Sequence, residues 1–142
     1  MNSMWQVAPA PRPEAGPTRT IRVLLADDHQ IIRGSLAKLL QREPDIDVVA
    51  QAGDGHEAVA LVREHQPDVV VMDITMPRLN GIEATRQVTS EFPSIRIIGL
   101  SIHQRADMAD AMRGAGAEIY LTKGGPPKDL VAAVRGKPPQ TE

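Results

Sequence analysis

The run VVVMD, Val69 to Asp73, is apolar up to its last residue. It reads as a strand buried on both faces, and a carboxylate at its end is costly unless something pairs with it. Four more polar residues close or follow other apolar runs. Asp27 and Asp28 follow IRVLLA, Ser101 closes SIRIIGLS, and Lys123 follows EIYLT, which itself ends in Thr122. Three carboxylates a few ångströms apart repel, by about 4 kcal/mol for a pair ~4 Å apart at an effective dielectric of ~20. Protons or a cation must relieve that. Carboxylate oxygens are hard ligands, and two or three of them with water suit Mg²⁺. An ammonium and a hydroxyl beside them describe a pocket for a phosphoryl group, around one carboxylate able to act as nucleophile.

Each residue alone has a plainer reading. A strand-end aspartate is usually a turn or cap residue. Asp27 or Asp28 could cap a helix from His29, Ser101 could be another cap, and Lys123 a solvated loop lysine. Their joint appearance at matching ends of four strands is what weighs for a site. Asp54 and His56 belong to a turn and helix start rather than to a metal site. His103 and Tyr120 stay open between function and, respectively, an ordinary surface loop and plain core.

The elements that must position these groups alternate. IRVLLA (21–26) is a first strand; Ile31, Ile32, Leu36, Leu39 and Leu40 then recur at helical spacing and stop before Pro44. IDVVAQA (46–52) is a second strand, and a helix follows with Ala58, Val59 and Val62 inward. Residues 69–73 form the third strand, with a helix from about Asn80 to Phe92, ended by Pro93. SIRIIGLS (94–101) is the fourth strand, with a helix from about Arg105 to Arg113, closed by Gly114 and Gly116. EIYLT (118–122) is the fifth, with a last helix from about Pro127 to Arg135. This (βα)₅ pattern implies an α/β fold, a doubly wound five-stranded parallel sheet in the flavodoxin-like order 2-1-3-4-5 with right-handed crossovers. Sites in such sheets lie outside the carboxyl ends of the strands.

Residues 1–20, with Pro9, Pro11, Pro13 and Pro17, show no apolar period and read as a disordered tail or linker; 137–142 read as a C-terminal tail. The domain is thus expected over 21–136. A hydrophobic share of 42% supports a real core, aliphatic because Trp5, Phe92 and Tyr120 are the only aromatics. Net charge of −2 argues against a nucleic-acid surface, and no apolar run approaches the roughly 18 residues of a membrane span. Absence of cysteine excludes disulfides and thiolate chemistry. A cytoplasmic location is expected.

ADDH at 26–29, MDITMPRLNG at 72–81, GLSIH at 99–103 and AGAEIYLTK at 115–123 resemble, in order and spacing, the receiver domain of two-component response regulators, with its CheY-like fold. They are most similar to receivers that carry a LuxR-type helix-turn-helix output domain. The resemblance implies that Asp73 accepts a phosphoryl group from a phosphohistidine. It implies Mg²⁺ on Asp28, Asp73 and the backbone carbonyl of Thr75, with Asp27 acting through water. Lys123 would pair with phosphoryl oxygens, Ser101 would be the switch hydroxyl and Tyr120 the switch aromatic. Thr75 and His103 would modulate hydrolysis of the acyl phosphate.

One departure is local. Gly124 and Gly125 stand between Lys123 and Pro126, where the family often has proline directly, so this loop is more permissive in backbone angle. The expected function is a phosphoryl-accepting module in a His-Asp phosphorelay, signalling by a conformational switch and protein contact, and not a separate enzyme. Its partners would be a sensor histidine kinase or phosphotransfer protein and, on phosphorylation, a second copy. A small basic face from Arg33, Lys38, Arg42, Lys128 and Arg135 could dock them, and no direct nucleic-acid binding or membrane contact is expected. The long Pro/Ala-rich lead resembles the linker before a C-terminal receiver in a hybrid kinase. The alternative is an N-terminal receiver of a LuxR-type regulator cut before its output domain. A Mg²⁺-dependent aspartyl phosphatase is more remote.

Overall fold

A computed structural model describes residues 19–102 and 106–136. The expected tail over 1–20 lies, up to residue 18, outside the described residues, as do the tail over 137–142 and His103. Strands β1 (Ile21–Ala26), β2 (Ile46–Ala52), β3 (Val69–Asp73), β4 (Arg96–Ser101) and β5 (Ile119–Thr122) alternate with helices α1 (Gln30–Gln41), α2 (Gly55–His65), α3 (Gly81–Glu91), α4 (Ala106–Ala115) and α5 (Pro127–Val134). All strand pairings are parallel, in the order β2-β1-β3-β4-β5.

Strand alternation divides the core into two layers. Leu24, Ala26, Val70, Met72 and Ile97 pack against α2, α3 and α4, with Ala58, Val62, Ala84, Val88 and Met112. Val23, Leu25, Val69, Val71, Ile98 and Leu100 face α1 and α5, with Leu40, Leu130 and Val134. The three central strands are therefore apolar on both faces, as a covered parallel sheet requires. β5 is an edge strand, half-buried throughout.

Two expectations about helices are corrected. Ile31 is 85% exposed and Ile32 37%, so neither joins the core. At 3.6 residues per turn, Ile31 shares its row with Ser35 and Lys38, whereas Ala37 and Leu40 face the sheet. The fourth helix runs past Gly114 and stops at Gly116, whose φ is +121°. There the amide of Ala117 donates to Met112 O (2.9 Å) and that of Gly116 to Arg113 O (3.0 Å), the paired bonds of a Schellman ending. A side chain at Gly116 would also strike Thr89.

Candidate functional site

Register places the chemistry. Ala26 pairs with Met72, and Asp73 with Leu100. The residues just beyond β1, at the end of β3 and at the end of β4 therefore stand side by side. Ser101 pairs with Thr122, which brings Lys123 level with them, and the Lys123 amide donates to Ser101 O (2.8 Å). Carboxylate oxygens of Asp27, Asp28 and Asp73 and a ring nitrogen of His29 all lie within 4.8 Å of one another.

Burial grades the three carboxylates. The side chain of Asp27 is fully buried and that of Asp73 3% exposed, while Asp28 is 30% exposed. Lys123 Nζ lies 2.8 Å from Asp27 Oδ2 and 3.3 Å from Asp73 Oδ2. Neither of those oxygens makes a hydrogen bond of good geometry, so the ammonium reaches them as a charge. Burial pushes the Asp73 carboxyl up to about 6; Lys123 pulls it back down, and the charge of Asp27 pushes it up again. One ammonium against three carboxylates leaves the pocket two negative charges in excess. Hard, buried oxygen donors with that excess fit a divalent cation.

The loop backbones hold the pocket in place. The amide of His29 donates to Asp27 Oδ1 (2.9 Å), and the amide of Thr75 approaches Asp73 Oδ1 at 3.4 Å. Arg33, one turn into α1, donates from Nη1 to the carbonyl of Asp27 (2.8 Å) and from Nε to Gln51 Oε1 (3.2 Å). After β3 the chain folds back on itself. The amide of Gly81 donates to Ile74 O (2.8 Å), and a Cβ at Gly81 would fall 2.0 Å from the carbonyl oxygen of Asp73. Only glycine fits there. Asp54 caps α2, accepting from the Glu57 amide (2.8 Å), and holds Arg78 of the β3–α3 loop at 2.9 Å. It is a turn and cap residue, as expected.

Asp27, Asp28, Asp73 and Lys123 are thus brought together. Ser101 is buried at the adjacent strand end, and Thr75 is exposed two residues after Asp73. Tyr120 is half-buried and packs on the α4 side, its ring beside the space over Gly99 next to Met112. His103 lies outside the described residues. Sequence reasoning missed His29 and Arg33. His29 served only as a helix start, yet its Nδ1 stands 3.2 Å from Asp27 Oδ1, 3.3 Å from Asp28 Oδ1 and 3.4 Å from Lys123 Nζ. Arg33 was assigned to a basic face. The available signal was its i+4 spacing from His29, which puts both on the side of α1 nearest the pocket.

Residues 23–135 match the family described as the response regulator receiver domain. The chain belongs to that family. This receiver is 39% identical over 115 residues to the transcriptional regulatory protein DegU of Brevibacillus brevis, covering 81% of the chain and 49% of the relative. It is 38% identical to the response regulator UvrY of Escherichia coli K12, covering 81% and 53%. The receiver spans about half the length of the curated relatives it matches. Among solved structures it resembles a LuxR-family two-component response regulator from Aurantimonas sp. SI85-9A1, at 41% identity and a TM-score of 0.78, covering 84% of this chain and 88% of that one. It also resembles the signal receiver domain of the putative response regulator NarL from Mycobacterium tuberculosis, at 29% identity and a TM-score of 0.80, covering 83% and 95%. The receiver is a phosphoryl-accepting module of two-component signalling, with a CheY-like fold. No helix among the described residues is long and apolar enough to cross a membrane.

Proposed function

We propose that Asp73 is the phosphoryl acceptor of this receiver. The observation that supports it most is its position: a carboxylate at the end of a fully buried strand, facing Lys123 and beside two more carboxylates. Burial keeps water from competing, and Lys123 offsets the charge that builds on the phosphoryl oxygens. In the transfer, a carboxylate oxygen of Asp73 forms a bond to phosphorus while the bond to the donor imidazole nitrogen breaks, and the imidazole leaves with that electron pair. Asp28, Asp73 and the Thr75 carbonyl would hold Mg²⁺, with Asp27 acting through water. When bound, the ion neutralises the pocket and the incoming phosphoryl oxygens. Ser101 and Tyr120 would carry the resulting switch to the α4–β5 face, and Thr75 and His103 would set the lifetime of the acyl phosphate. The module works as a signalling acceptor rather than as a separate enzyme, in a cytoplasmic setting. A phosphorylated histidine kinase or phosphotransfer protein with Mg²⁺ should add one phosphoryl group to the wild type and none to Asp73→Asn; equal labelling of both sinks the assignment.

A second reading concerns the parent chain. The curated relatives above are regulators of about twice the matched length. This favours the receiver half of a LuxR-type DNA-binding regulator over the C-terminal receiver of a hybrid kinase. The module itself makes its contacts through protein, not DNA. In support, two members of the expected basic face are engaged internally. Arg33 holds the Asp27 carbonyl, and Arg135 holds Glu43 (2.7 Å) and Asp45 (2.8 Å).

A further inference from the structure

His29 stands at the mouth of the acidic pocket. Its side chain is 46% exposed, so the ring borders both solvent and the carboxylates. Three facts fix it there. Its own amide donates to Asp27 Oδ1 at 2.9 Å, which ties the residue to the buried carboxylate. Its Nδ1 lies 3.2 Å from Asp27 Oδ1 and 3.3 Å from Asp28 Oδ1. Its Nδ1 also lies 3.4 Å from the Lys123 ammonium.

The separations from Nδ1 to the two carboxylate oxygens also suit donors gathered around one ion. Around an octahedral ion, donors about 2.1 Å from it are about 3 Å apart when adjacent and about 4.2 Å apart when opposite. Ligand atoms of Asp28, His29 and Asp73, with Asp27 behind them, all lie within 4.8 Å of one another. Asp27 Oδ2 and Asp73 Oδ2, both buried, share the single Lys123 ammonium, so one positive charge faces two carboxylates. Nδ1 thus faces two carboxylate oxygens and one ammonium, and the tautomer that carries its lone pair on Nδ1 is the one able to bind an ion there.

We propose that His29 is a metal-selecting side chain: its Nδ1 joins the carboxylates around one ion, and the pocket takes borderline divalent ions such as Co²⁺ in preference to Mg²⁺. This rests on the reading of the acidic pocket as the cation site and adds a ligand to it. The chemistry is one of softness. Carboxylates and carbonyls alone suit Mg²⁺, while an imidazole nitrogen suits Co²⁺, Ni²⁺ and Zn²⁺ and adds nothing for Mg²⁺. A hydrogen-bonding imidazole that merely orients Asp27 would instead affect every ion alike, which separates the two roles experimentally.

The test is a pair of metal titrations on the whole chain, wild type, His29→Ala and His29→Gln, with CoCl₂ and with MgCl₂, read by calorimetry. Cobalt absorption and the ring ¹⁵N shifts of His29 with ZnCl₂ give a second readout, with His56 and His65 as internal references. The expected result is a loss of about tenfold or more in Co²⁺ affinity in both variants, with Mg²⁺ affinity held within about twofold. Equal Co²⁺ affinity in wild type and variants overturns the assignment. So does a parallel loss for both ions, which identifies a hydrogen-bonding ring. If wild type binds no Mg²⁺ but its Co²⁺ affinity depends on His29, the Mg²⁺ reading fails and the His29 assignment stands. If neither ion binds, both fall.

Discussion

Lys123 Nζ sits closer to Asp27 than to Asp73, at 2.8 Å against 3.3 Å. Gly124 and Gly125 left open how firmly the lysine is held, but these two buried carboxylates fix it with its side chain only 6% exposed. The amide of Gly125 donates to Thr122 O (3.1 Å), and neither glycine uses a positive φ. Lys123→Met should therefore cost stability as well as phosphorylation. With Asp27 and Asp73 unpaired, the expected loss without metal at neutral pH is on the order of 2–4 kcal/mol. Millimolar MgCl₂ should recover part of it. Urea unfolding with and without MgCl₂ checks this, and a variant as stable as wild type in EDTA contradicts it.

Asp73 is expected to weaken the metal-free fold at neutral pH. Its folded value of about 6 lies above the ordinary 3.8, because burial penalises its charge. The folded state therefore binds the proton more tightly, and this contribution is fully present below 3.8 and lost as pH rises through about 6. Asp73→Asn in EDTA should exceed wild type in stability at pH 7 by on the order of 1–3 kcal/mol. The gap should close as pH falls toward 3.8. A gap that widens on acidification has the wrong sign for this account.

Gly81 is a steric requirement of the site. Gly81→Ala must displace the Asp73 carbonyl or the start of α3, since the new Cβ would lie 2.0 Å from that oxygen. A loss of about 2–4 kcal/mol is expected, with phosphorylation slowed in the fraction that folds. Gly34, where nothing lies within 4 Å of an added Cβ, is the control: Gly34→Ala, inside α1, should be neutral or slightly stabilising. Thermal melts of the two variants decide the matter, and equal melting temperatures count against the close approach.

Arg33 is expected to act as a positioning residue for the metal loop. Arg33→Gln removes the guanidinium bond to the Asp27 carbonyl and should weaken Mg²⁺ binding by about threefold to tenfold. Arg33→Lys should restore part of it, as a purely structural loss would not. Amide shifts of Asp27 and Asp28 in an NMR titration read the change directly, and unchanged shifts would remove Arg33 from the account.

Strand ends were the legible part of this sequence. Val69 to Asp73 is apolar on both faces and then charged, and apolar runs with polar ends at three other places point to a parallel sheet with its site at the carboxyl ends. Asp27, Asp28, Asp73 and Lys123 follow from that register, because a parallel sheet aligns the carboxyl ends of its strands. Ile31 misled because adjacent isoleucines satisfy an apolar count while pointing 100° apart on a helix. His29 and Arg33 were hidden because their roles depend on side chains turning back along the first turn of α1 toward a loop. That is a three-dimensional relation with no period to betray it. Arg135 was likewise read as surface charge, yet it bridges 90 residues of sequence to reach Asp45.

The most direct test of the account is intact-mass and peptide mapping of the receiver after incubation with a small-molecule phosphodonor such as acetyl phosphate and MgCl₂, with EDTA, Asp73→Asn and Asp27→Asn as controls. One phosphoryl group on the peptide carrying Asp73, absent with EDTA and in Asp73→Asn, is the expected result. A phosphoryl group on any other residue of the wild type, or labelling that persists in Asp73→Asn at the wild-type rate, would contradict it.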